Sequence, residues 1–311
     1  MVMPTTHLIT GGAGFIGINL IRCLSAPDVS IRVMDNLSAG HRDDLADFGV
    51  EFIEADIRDA GAVDWAVKGV TNIIHLAADT SVVDSVQNPQ GNLEINVIGT
   101  FNLLQAAAKH HVKRFVFAST GGAIVGDVSP PVHEEMAPNP ISPYGASKLA
   151  AEGYCSAFWG AYGLPTICLR FANVYGPYSY HKGSVIAAFF RRIQAGEPLL
   201  VYGNGEQTRD FVFAGDICRG IAAAISKDVP FGKSIQLGSG RETSINHLIA
   251  LMQQVVGADK LPPVSFAPPR PGEVMRNFVT ITRAQQYLGF QPSTSLADGL
   301  RETWEWFKGV D

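Results

Sequence analysis

The chain has 311 residues, of which 46% are hydrophobic and 17% charged, and its net charge is −5 at pH 7. This length and composition predict a large buried core and exclude an intrinsically disordered protein. The acidic balance, without any run of Lys or Arg, is unlike that of a nucleic-acid-binding surface, so we expect no nucleic-acid partner.

Neither a targeting segment nor a membrane partner is expected. A strand pattern and a glycine-rich stretch begin almost at once, which leaves no room for a signal peptide, and no apolar run reaches membrane-spanning length. We therefore expect a cytoplasmic protein.

The cysteines, Cys23, Cys155, Cys168 and Cys218, are far apart and lack the spacing of metal ligands. They are predicted to be reduced, packed thiols, and no metal site is predicted.

The first half of the chain alternates short apolar runs with amphipathic ones. Strands are predicted at residues 7–10, 31–34, 51–54, 72–77, 114–118 and 166–170. Helical patterns cover residues 15–24, 63–67, 92–109 and 144–159. This alternation predicts an α/β fold in which a parallel sheet carries helices on both faces.

Beyond residue 170 the pattern loosens, because Pro and Gly become frequent and mark loops around shorter elements. We therefore predict a first domain at residues 1–171 and a smaller lobe at residues 172–311. Residues 210–238 are expected to return to the sheet of the first domain.

A glycine-rich stretch, Gly12-x-Gly14-x-x-Gly17, lies between the first predicted strand and the first helix. Glycines at this spacing let backbone approach the pyrophosphate of a dinucleotide, although a purely structural turn has the same pattern. Asp35 ends the second strand, where a carboxylate accepts hydrogen bonds from ribose hydroxyls and repels a 2′-phosphate. NAD is thus favoured over NADP, with a simple turn residue as the alternative for Asp35. Asp56 and Ile57 follow the third strand and are expected to bracket the adenine, unless Asp56 caps a helix.

Tyr144 and Lys148 are one helical turn apart, far downstream of the glycines. A tyrosine with its ordinary pKa of about 10 is a poor base at neutral pH. A neighbouring ammonium and the cationic ring of NAD⁺ both favour phenolate, so the pair predicts hydride transfer at a carbon that bears a hydroxyl. Ser119 and Thr120 end the fifth strand and are candidate partners of this pair. An exposed Tyr and a solvated Lys on a surface helix remain the alternative.

These residues resemble the extended short-chain dehydrogenase/reductase family, and within it the NAD-dependent sugar-nucleotide epimerases and dehydratases, most of all the UDP-hexose 4-epimerases. The resemblance extends over nearly the whole chain. Its motifs are Gly-Gly-Ala-Gly-Phe-Ile-Gly (11–17), Asp-Asn-Leu-Ser (35–38), Asp-Ile-Arg-Asp (56–59), His-Leu-Ala-Ala (75–78), Asn-Val-Ile-Gly-Thr (96–100), Tyr-Gly-Ala-Ser-Lys (144–148), Arg-Phe-Ala-Asn-Val-Tyr-Gly-Pro (170–177), Gly-Asn-Gly-Glu-Gln-Thr-Arg-Asp-Phe (203–211) and Arg-Pro-Gly-Glu (270–273).

The resemblance implies a Rossmann-type doubly wound parallel sheet that binds NAD and a smaller mixed α/β lobe that binds a nucleotide sugar. The implied cofactor-binding residues are Gly11, Gly14, Phe15, Ile16, Gly17, Asp35, Asn36, Asp56, Ile57, Leu76, Ala77, Ala78, Asn96, Tyr144 and Lys148. On the substrate side, Asn173, Arg209 and Arg270 are implied to contact pyrophosphate, Glu273 the uridine ribose, and Val185 or Ile186 the uracil. Pairing with surface carboxylates is the alternative for both arginines.

One position departs from the family's pattern. Many epimerases carry Ser or Thr as the third small residue after the fifth strand, where it hydrogen-bonds the reacting 4-hydroxyl, whereas this chain has Gly121. Thr120, Ser119 or an ordered water must then serve, and Thr120 is preferred. The next positions hold Gly122 and Ala123, where related dehydratases and decarboxylases carry acids. The resemblance therefore favours oxidation and re-reduction at C4 over dehydration or decarboxylation.

The expected reaction is NAD-dependent epimerisation at C4 of a UDP-hexose through a 4-keto sugar. The alternatives are a UDP-uronate or UDP-N-acetylhexosamine 4-epimerase, a net 4-keto-sugar reductase, and a catalytically silent nucleotide-sensing protein. Asn277, at a position linked in the family with sugar size, leaves activity on N-acetylhexosamines open. A homodimer is expected through a four-helix interface of helices 92–109 and 144–159, although an intramolecular core would explain these helices almost as well.

Overall fold

A computed structural model describes residues 5–269 and 274–310. The strands within these residues are β1 (Thr5–Thr10), β2 (Val29–Asp35), β3 (Glu51–Glu54), β4 (Asn72–His75), β5 (Arg114–Thr120), β6 (Thr166–Phe171), β7 (Asn173–Tyr175), β8 (Leu199–Tyr202), β9 (Thr208–Arg209), β10 (Phe211–Phe213), β11 (Lys233–Leu237), β12 (Thr243–Ser244) and β13 (Val264–Ala267). The α-helices are α1 (Phe15–Leu24), α2 (Ala60–Val67), α3 (Val82–Gln87), α4 (Pro89–Leu93), α5 (Thr100–Lys109), α6 (Gly122–Val125), α7 (Pro143–Tyr162), α8 (Val185–Ala195), α9 (Ala214–Ser226), α10 (Ile245–Val256) and α11 (Leu296–Phe307).

Seven strands form one sheet in the order β3-β2-β1-β4-β5-β6-β11, and every neighbouring pair is parallel. The first six follow the Rossmann order, so the predicted fold class is confirmed. After β3 the chain crosses to the other side of β1 and continues with β4. A crevice opens outside the carboxyl ends of the strands at such a switch point, and ligands of open α/β sheets bind there.

The sheet is buried on both faces. On one face, α1 and α9 pack over the strands; on the other face lie α2, α5 and α7. All residues of β4 and β6 are buried, including the polar Asn72, His75 and Arg170, as is typical of a parallel sheet with two helical layers. Each predicted strand of the first 170 residues is present in this sheet.

Three predicted helices have different boundaries in the structure. The helix predicted at residues 63–67 begins earlier, at Ala60, as α2. The pattern at residues 92–109 is divided into the end of α4, a π-helical turn at Glu94–Gly99, and α5. In this turn the Thr100 hydroxyl donates to the carbonyl of Asn96 at 2.6 Å, and side chains that interrupt the regular ladder commonly produce such a bulge. α7 is longer than predicted and ends where Gly163 adopts a left-handed conformation, φ +66°.

The smaller lobe is built from short strand pairs with α8, α10 and α11 packed around them. β7 pairs with β10, β8 with β13, and β9 with β12. The core of the lobe is aromatic, with Phe190 stacked on Trp304 at a centroid distance of 5.3 Å. β11 pairs with β6, so the chain re-enters the large sheet after β10 and α9. The boundary that we predict between the two domains remains a prediction.

The cysteines are free; three are buried, but Cys23 is exposed, so the expectation of packing is wrong for that residue. None of the described helices is both long and apolar enough to cross a bilayer. Within residues 5–269 and 274–310, no group of three or more His, Cys, Asp or Glu side chains could hold a metal ion.

Candidate active site

A cavity of about 1900 Å³ extends along the carboxyl edge of the sheet, from the loop after β1 to the first turn of α8. Most of the predicted site residues line it. These are Gly11, Gly14, Phe15, Ile16, Gly17, Asp35, Asn36, Asp56, Ile57, Leu76, Ala77, Ala78, Ser119, Thr120, Tyr144, Lys148, Asn173, Val185, Ile186 and Arg209. The cofactor side and the substrate side that the sequence predicts are therefore parts of one continuous cavity.

The glycine loop fits closely against the sheet. A Cβ added to Gly11, whose φ is +69°, would lie 2.6 Å from the backbone nitrogen of Ala77. A Cβ on Gly17 would lie 2.5 Å from the carbonyl oxygen of Gly11. α1 then begins at Phe15, and its N-cap, Gly14, has no side chain to bond the first amides. These amides suit a phosphate group, so the loop fits a dinucleotide.

Asp35 is buried at the end of β2 and faces the cavity. Its carboxylate accepts from the amide of Ala13 at 3.0 Å and from the amide of Leu37 at 2.8 Å. Burial raises the pKa of Asp35, and the two amide hydrogen bonds oppose this shift. The bond to Leu37 is the local turn that the sequence offered as an alternative. Since the same side chain also lines the cavity, both interpretations of Asp35 are compatible.

Asp56 does not cap a helix. The N-cap of α2 is Asp59, whose side chain accepts from the amides of Gly61 and Ala62. Asp56 instead accepts from Asn36 Nδ2 at 2.9 Å and pairs with the Arg58 guanidinium at 2.8 Å, which keeps the pKa of Asp56 well below its usual range. The carboxylate is thus held beside the cavity wall.

Asn96 lies behind the cavity wall, unlike the other described cofactor-binding candidates. Its side-chain oxygen accepts from the Asp79 amide at 2.9 Å, and its amide nitrogen donates to the Asp79 carbonyl at 2.8 Å and to Ser147 Oγ at 3.0 Å. The geometry indicates that Asn96 positions the Asp79 loop against α7. Asn96 lies within the π-helical turn at Glu94–Gly99.

α7 carries Tyr144 and Lys148 into the cavity. The Ser142 hydroxyl caps the helix by accepting from the Gly145 amide at 3.1 Å. Lys148 is only 3% exposed, donates to the Ala118 carbonyl at 2.9 Å, and lies 4.7 Å from the centre of the Phe117 ring. The alternative interpretation, a solvated lysine on a surface helix, is therefore wrong for Lys148.

The pKa values show what the protein's own groups do to this pair. Burial raises the pKa of Tyr144 to about 12, while a hydrogen bond with the Thr120 side chain lowers it and the Asp79 carboxylate raises it further. Burial lowers the pKa of Lys148 to about 8, and Glu152 opposes that shift. The predicted phenolate is thus not formed by Tyr144 and Lys148 alone. A further positive charge beside the phenol is required to lower its pKa.

The two candidate hydroxyls differ in their partners. Ser119 Oγ donates to Glu152 Oε1 at 2.6 Å, whereas the Thr120 side chain lies near enough to the Tyr144 phenol to lower its pKa. Glu152 also forms a buried, two-pronged ion pair with Arg170, with distances of 2.9 and 2.7 Å, and accepts from Ser234 at 2.9 Å. The Ser119 hydroxyl is therefore held by an ionic cluster, and Thr120 is the better candidate for the catalytic hydroxyl.

Sequence reasoning missed Glu152. It follows Lys148 by four residues, as Lys148 follows Tyr144, so the three side chains share one face of α7. This spacing was the available signal. The identity of its partners was not available, because Arg170 and Ser234 come from other strands of the sheet.

The substrate-side candidates come from the smaller lobe. Asn173 begins β7, and its backbone N–H donates to the Asp210 carbonyl at 2.9 Å. Val185 and Ile186 form the first turn of α8. Arg209 donates to the carbonyls of Thr208 at 2.7 Å and Val274 at 2.8 Å. Arg270 and Glu273, also predicted to bind the nucleotide, lie outside the described residues.

The chain is similar to known proteins over nearly its whole length. Residues 7–238 match a family described as the NAD dependent epimerase/dehydratase family. A UDP-glucose 4-epimerase of Mycolicibacterium smegmatis is 36% identical over 311 residues, covering 97% of this chain and 98% of that protein. The crystal structure of a Thermotoga maritima UDP-glucose 4-epimerase with UDP-glucose is 37% identical, covers 98% of this chain and 99% of its own, and superposes with a TM-score of 0.92.

A second crystal structure, of a Thermus thermophilus UDP-glucose 4-epimerase in complex with NAD, is 35% identical and has a TM-score of 0.90. The match covers 99% of this chain and 100% of the Thermus thermophilus chain. Sequence, fold and the cavity at the carboxyl edge of the sheet therefore agree. The chain belongs to the NAD dependent epimerase/dehydratase family.

Proposed function

We propose that this protein inverts the configuration at C4 of a UDP-hexose, using NAD that stays bound through the catalytic cycle. The observation that carries the proposal is the position of Tyr144. Its phenol lies beside the Thr120 side chain, which lowers its pKa, it shares a helix face with Lys148, and it lines the same cavity as the glycine loop. A phenolic base beside a dinucleotide site is suited to oxidation of an alcohol and reduction of the resulting ketone.

When bound, NAD would accept hydride from C4 and return it, and its cationic ring would favour the phenolate of Tyr144. Tyr144 then removes the proton of the 4-hydroxyl and later returns it. Lys148, held by the Ala118 carbonyl, stabilises the phenolate by its charge. Thr120 donates or accepts a hydrogen bond at the same oxygen. The residues that would hold NAD are those of the glycine loop together with Asp35, Asn36, Asp56 and Ile57.

The substrate's UDP group would be bound by the smaller lobe. Asn173 and Arg209 would contact the pyrophosphate, and the first turn of α8, with Val185 and Ile186, would contact the uracil. Arg270 and Glu273 are assigned to pyrophosphate and ribose by the resemblance alone. For both faces of the 4-keto sugar to be reduced, the sugar must turn while its UDP stays bound. Tight contacts to UDP with looser contacts to the sugar meet this need.

We also propose that the protein is a homodimer. Several large apolar side chains on the two predicted interface helices face solvent in the single chain: Leu93, Ile98, Tyr154 and Tyr162. An intramolecular core accounts for buried residues such as Leu103 and Leu104. The exposed set stays exposed even though Tyr154 contacts the Phe101 ring at 5.3 Å and Tyr162 contacts the Phe158 ring at 4.8 Å. An apolar surface on helices at the edge of the domain supports pairing with a second copy.

The test is incubation of the purified protein with UDP-hexoses, UDP-N-acetylhexosamines and UDP-uronates, without added cofactor, followed by chromatographic separation of the C4 epimers. Interconversion of one class supports the proposal and names the sugar. Release of one NADH per sugar would indicate a net dehydrogenase or reductase instead, and no turnover would indicate a nucleotide-sensing protein. Tyr144→Phe should abolish turnover while NAD binding and the denaturation midpoint stay near those of the unaltered protein.

A further inference from the structure

The loop between β7 and α8 carries a lysine into the cavity. Lys182 is half-buried and lines the same cavity as the glycine loop and Tyr144. Its ammonium donates to the Val174 carbonyl at 2.7 Å and lies 5.0 Å from the centre of the Phe15 ring. No step of the proposed reaction uses this side chain.

The charge of Lys182 has no counterion within the described part of the chain. No carboxylate of those residues forms an ion pair with the ammonium, and burial lowers the pKa of Lys182 to about 8. Lys148, which also lines the cavity, differs because the Glu152 carboxylate opposes the same shift. A carbonyl and a ring face compensate only part of the hydration that an ammonium loses on burial. Lys182 is therefore placed where an anion in the cavity would stabilise its charge.

The two contacts of the ammonium lie beside two candidate phosphate positions. Phe15 is the first residue of α1, whose free amides suit the pyrophosphate of a dinucleotide. Val174 directly follows Asn173, which the proposed function assigns to the pyrophosphate of UDP. Both groups offer the charged oxygens that a compact ammonium binds well. The position of Lys182 therefore fits a pyrophosphate from either ligand.

Hydrogen bonds fix the loop that carries Lys182. Asn19 of α1 donates to the Pro177 carbonyl at 2.9 Å, and Arg191 of α8 donates to the Lys182 carbonyl at 3.1 Å. The backbone N–H of Lys182 donates to the Ser179 carbonyl at 2.9 Å. The loop is thus tied to α1 and to α8 before any ligand binds. A charge that is already held in place costs little entropy when it meets a ligand.

We propose that Lys182 is a phosphate-binding residue, whose ammonium hydrogen-bonds a non-bridging oxygen of a pyrophosphate bound in the cavity. The pyrophosphate is that of NAD or that of the nucleotide sugar. This inference rests on the proposed function, because that function names the two ligands. It adds a cation to the substrate and cofactor contacts, which otherwise come from the glycine loop, Asn173 and Arg209.

The test is Lys182→Met, which keeps an unbranched apolar stem over the Phe15 ring and removes the charge. NAD is titrated into nucleotide-free protein, and UDP is titrated into the NAD-loaded protein, both by isothermal calorimetry. The dissociation constant of at least one ligand should rise by about 10- to 100-fold, as for loss of a hydrogen bond to a charged group. The ligand whose binding weakens identifies the pyrophosphate. Lys182→Arg keeps the charge and should weaken binding less than Lys182→Met.

Lys113→Met is the matched control. Lys113 is exposed and directly precedes β5, at the amino edge of the sheet, opposite the cavity. Its removal should leave both dissociation constants unchanged. A structural role of the bond to Val174 alone predicts a lower denaturation midpoint for ligand-free Lys182→Met with unchanged dissociation constants.

Unchanged constants for both NAD and UDP in Lys182→Met would overturn the inference and leave the proposed function standing. Binding that weakens in this variant, in a protein that epimerises no UDP-sugar, would support the inference and refute the proposed function. Failure of the unaltered protein to bind either nucleotide would refute both.

Discussion

Replacing Glu152 by Gln should both destabilise the fold and shift the alkaline limit of activity. The substitution keeps the size of the side chain but removes the negative charge that pairs with Arg170 at 2.7 and 2.9 Å. The side chains of the pair are 7% and 5% exposed, so water cannot screen the guanidinium that is left behind. Breaking a buried pair from one side costs about 3–5 kcal/mol, well above the value of about 0–1 kcal/mol for an exposed pair.

The same variant acts on Lys148. Burial already lowers the pKa of Lys148 to about 8, and the Glu152 carboxylate is the first of the groups that oppose this shift. Without it, and with Arg170 left unpaired, the pKa of Lys148 must fall further. Lys148 supports the phenolate only while it is protonated. Activity should therefore be lost at a lower pH than in the unaltered enzyme.

Two measurements test these effects: equilibrium urea unfolding for the free energy of unfolding, and kcat measured from neutral to alkaline pH. Ser234→Ala is the control, since it removes one hydrogen bond of 2.9 Å to Glu152 but keeps both charges. Ser234→Ala should lower the free energy of unfolding by about 1–2 kcal/mol and leave the alkaline limit of kcat unchanged. An unchanged midpoint and an unchanged alkaline limit for Glu152→Gln would refute the role given to this cluster.

Three further predictions concern separate parts of the molecule. Thr120→Val should lower kcat by about 100-fold with little change in KM, because its hydroxyl is the one beside the Tyr144 phenol and lowers its pKa, and a rate equal to that of the unaltered enzyme would exclude this role. Asp35→Asn should narrow the preference for NAD over NADP, measured by titration of each dinucleotide, since the charge that repels a 2′-phosphate is removed; an unchanged ratio would contradict the assignment. Tyr162→Asp, at a side chain that is 68% exposed on α7, should give monomers in light scattering if the proposed helix interface is correct, whereas a stable dimer would argue for another interface.

The alternation of strands and helices, the glycine loop and the Tyr144–Lys148 pair could be predicted from the sequence because each depends on local spacing. A buried parallel strand is apolar along its whole length, a helix repeats its face every three to four residues, and a glycine turn is encoded within a few positions. These rules identified the first six strands along the chain, and most of the predicted site residues line the cavity.

Contacts between distant segments were decided by the tertiary structure. Ser119 and Thr120 are adjacent at the end of β5, and only the packing of α7 against the sheet determines that Ser119 meets Glu152 whereas Thr120 lies beside Tyr144. The environment of Gly121 likewise depends on Gln236, a residue far along the chain that β11 brings beside it. Sequence spacing specifies which chemical groups a helix or strand carries, whereas burial and the partner across the sheet specify what those groups can do.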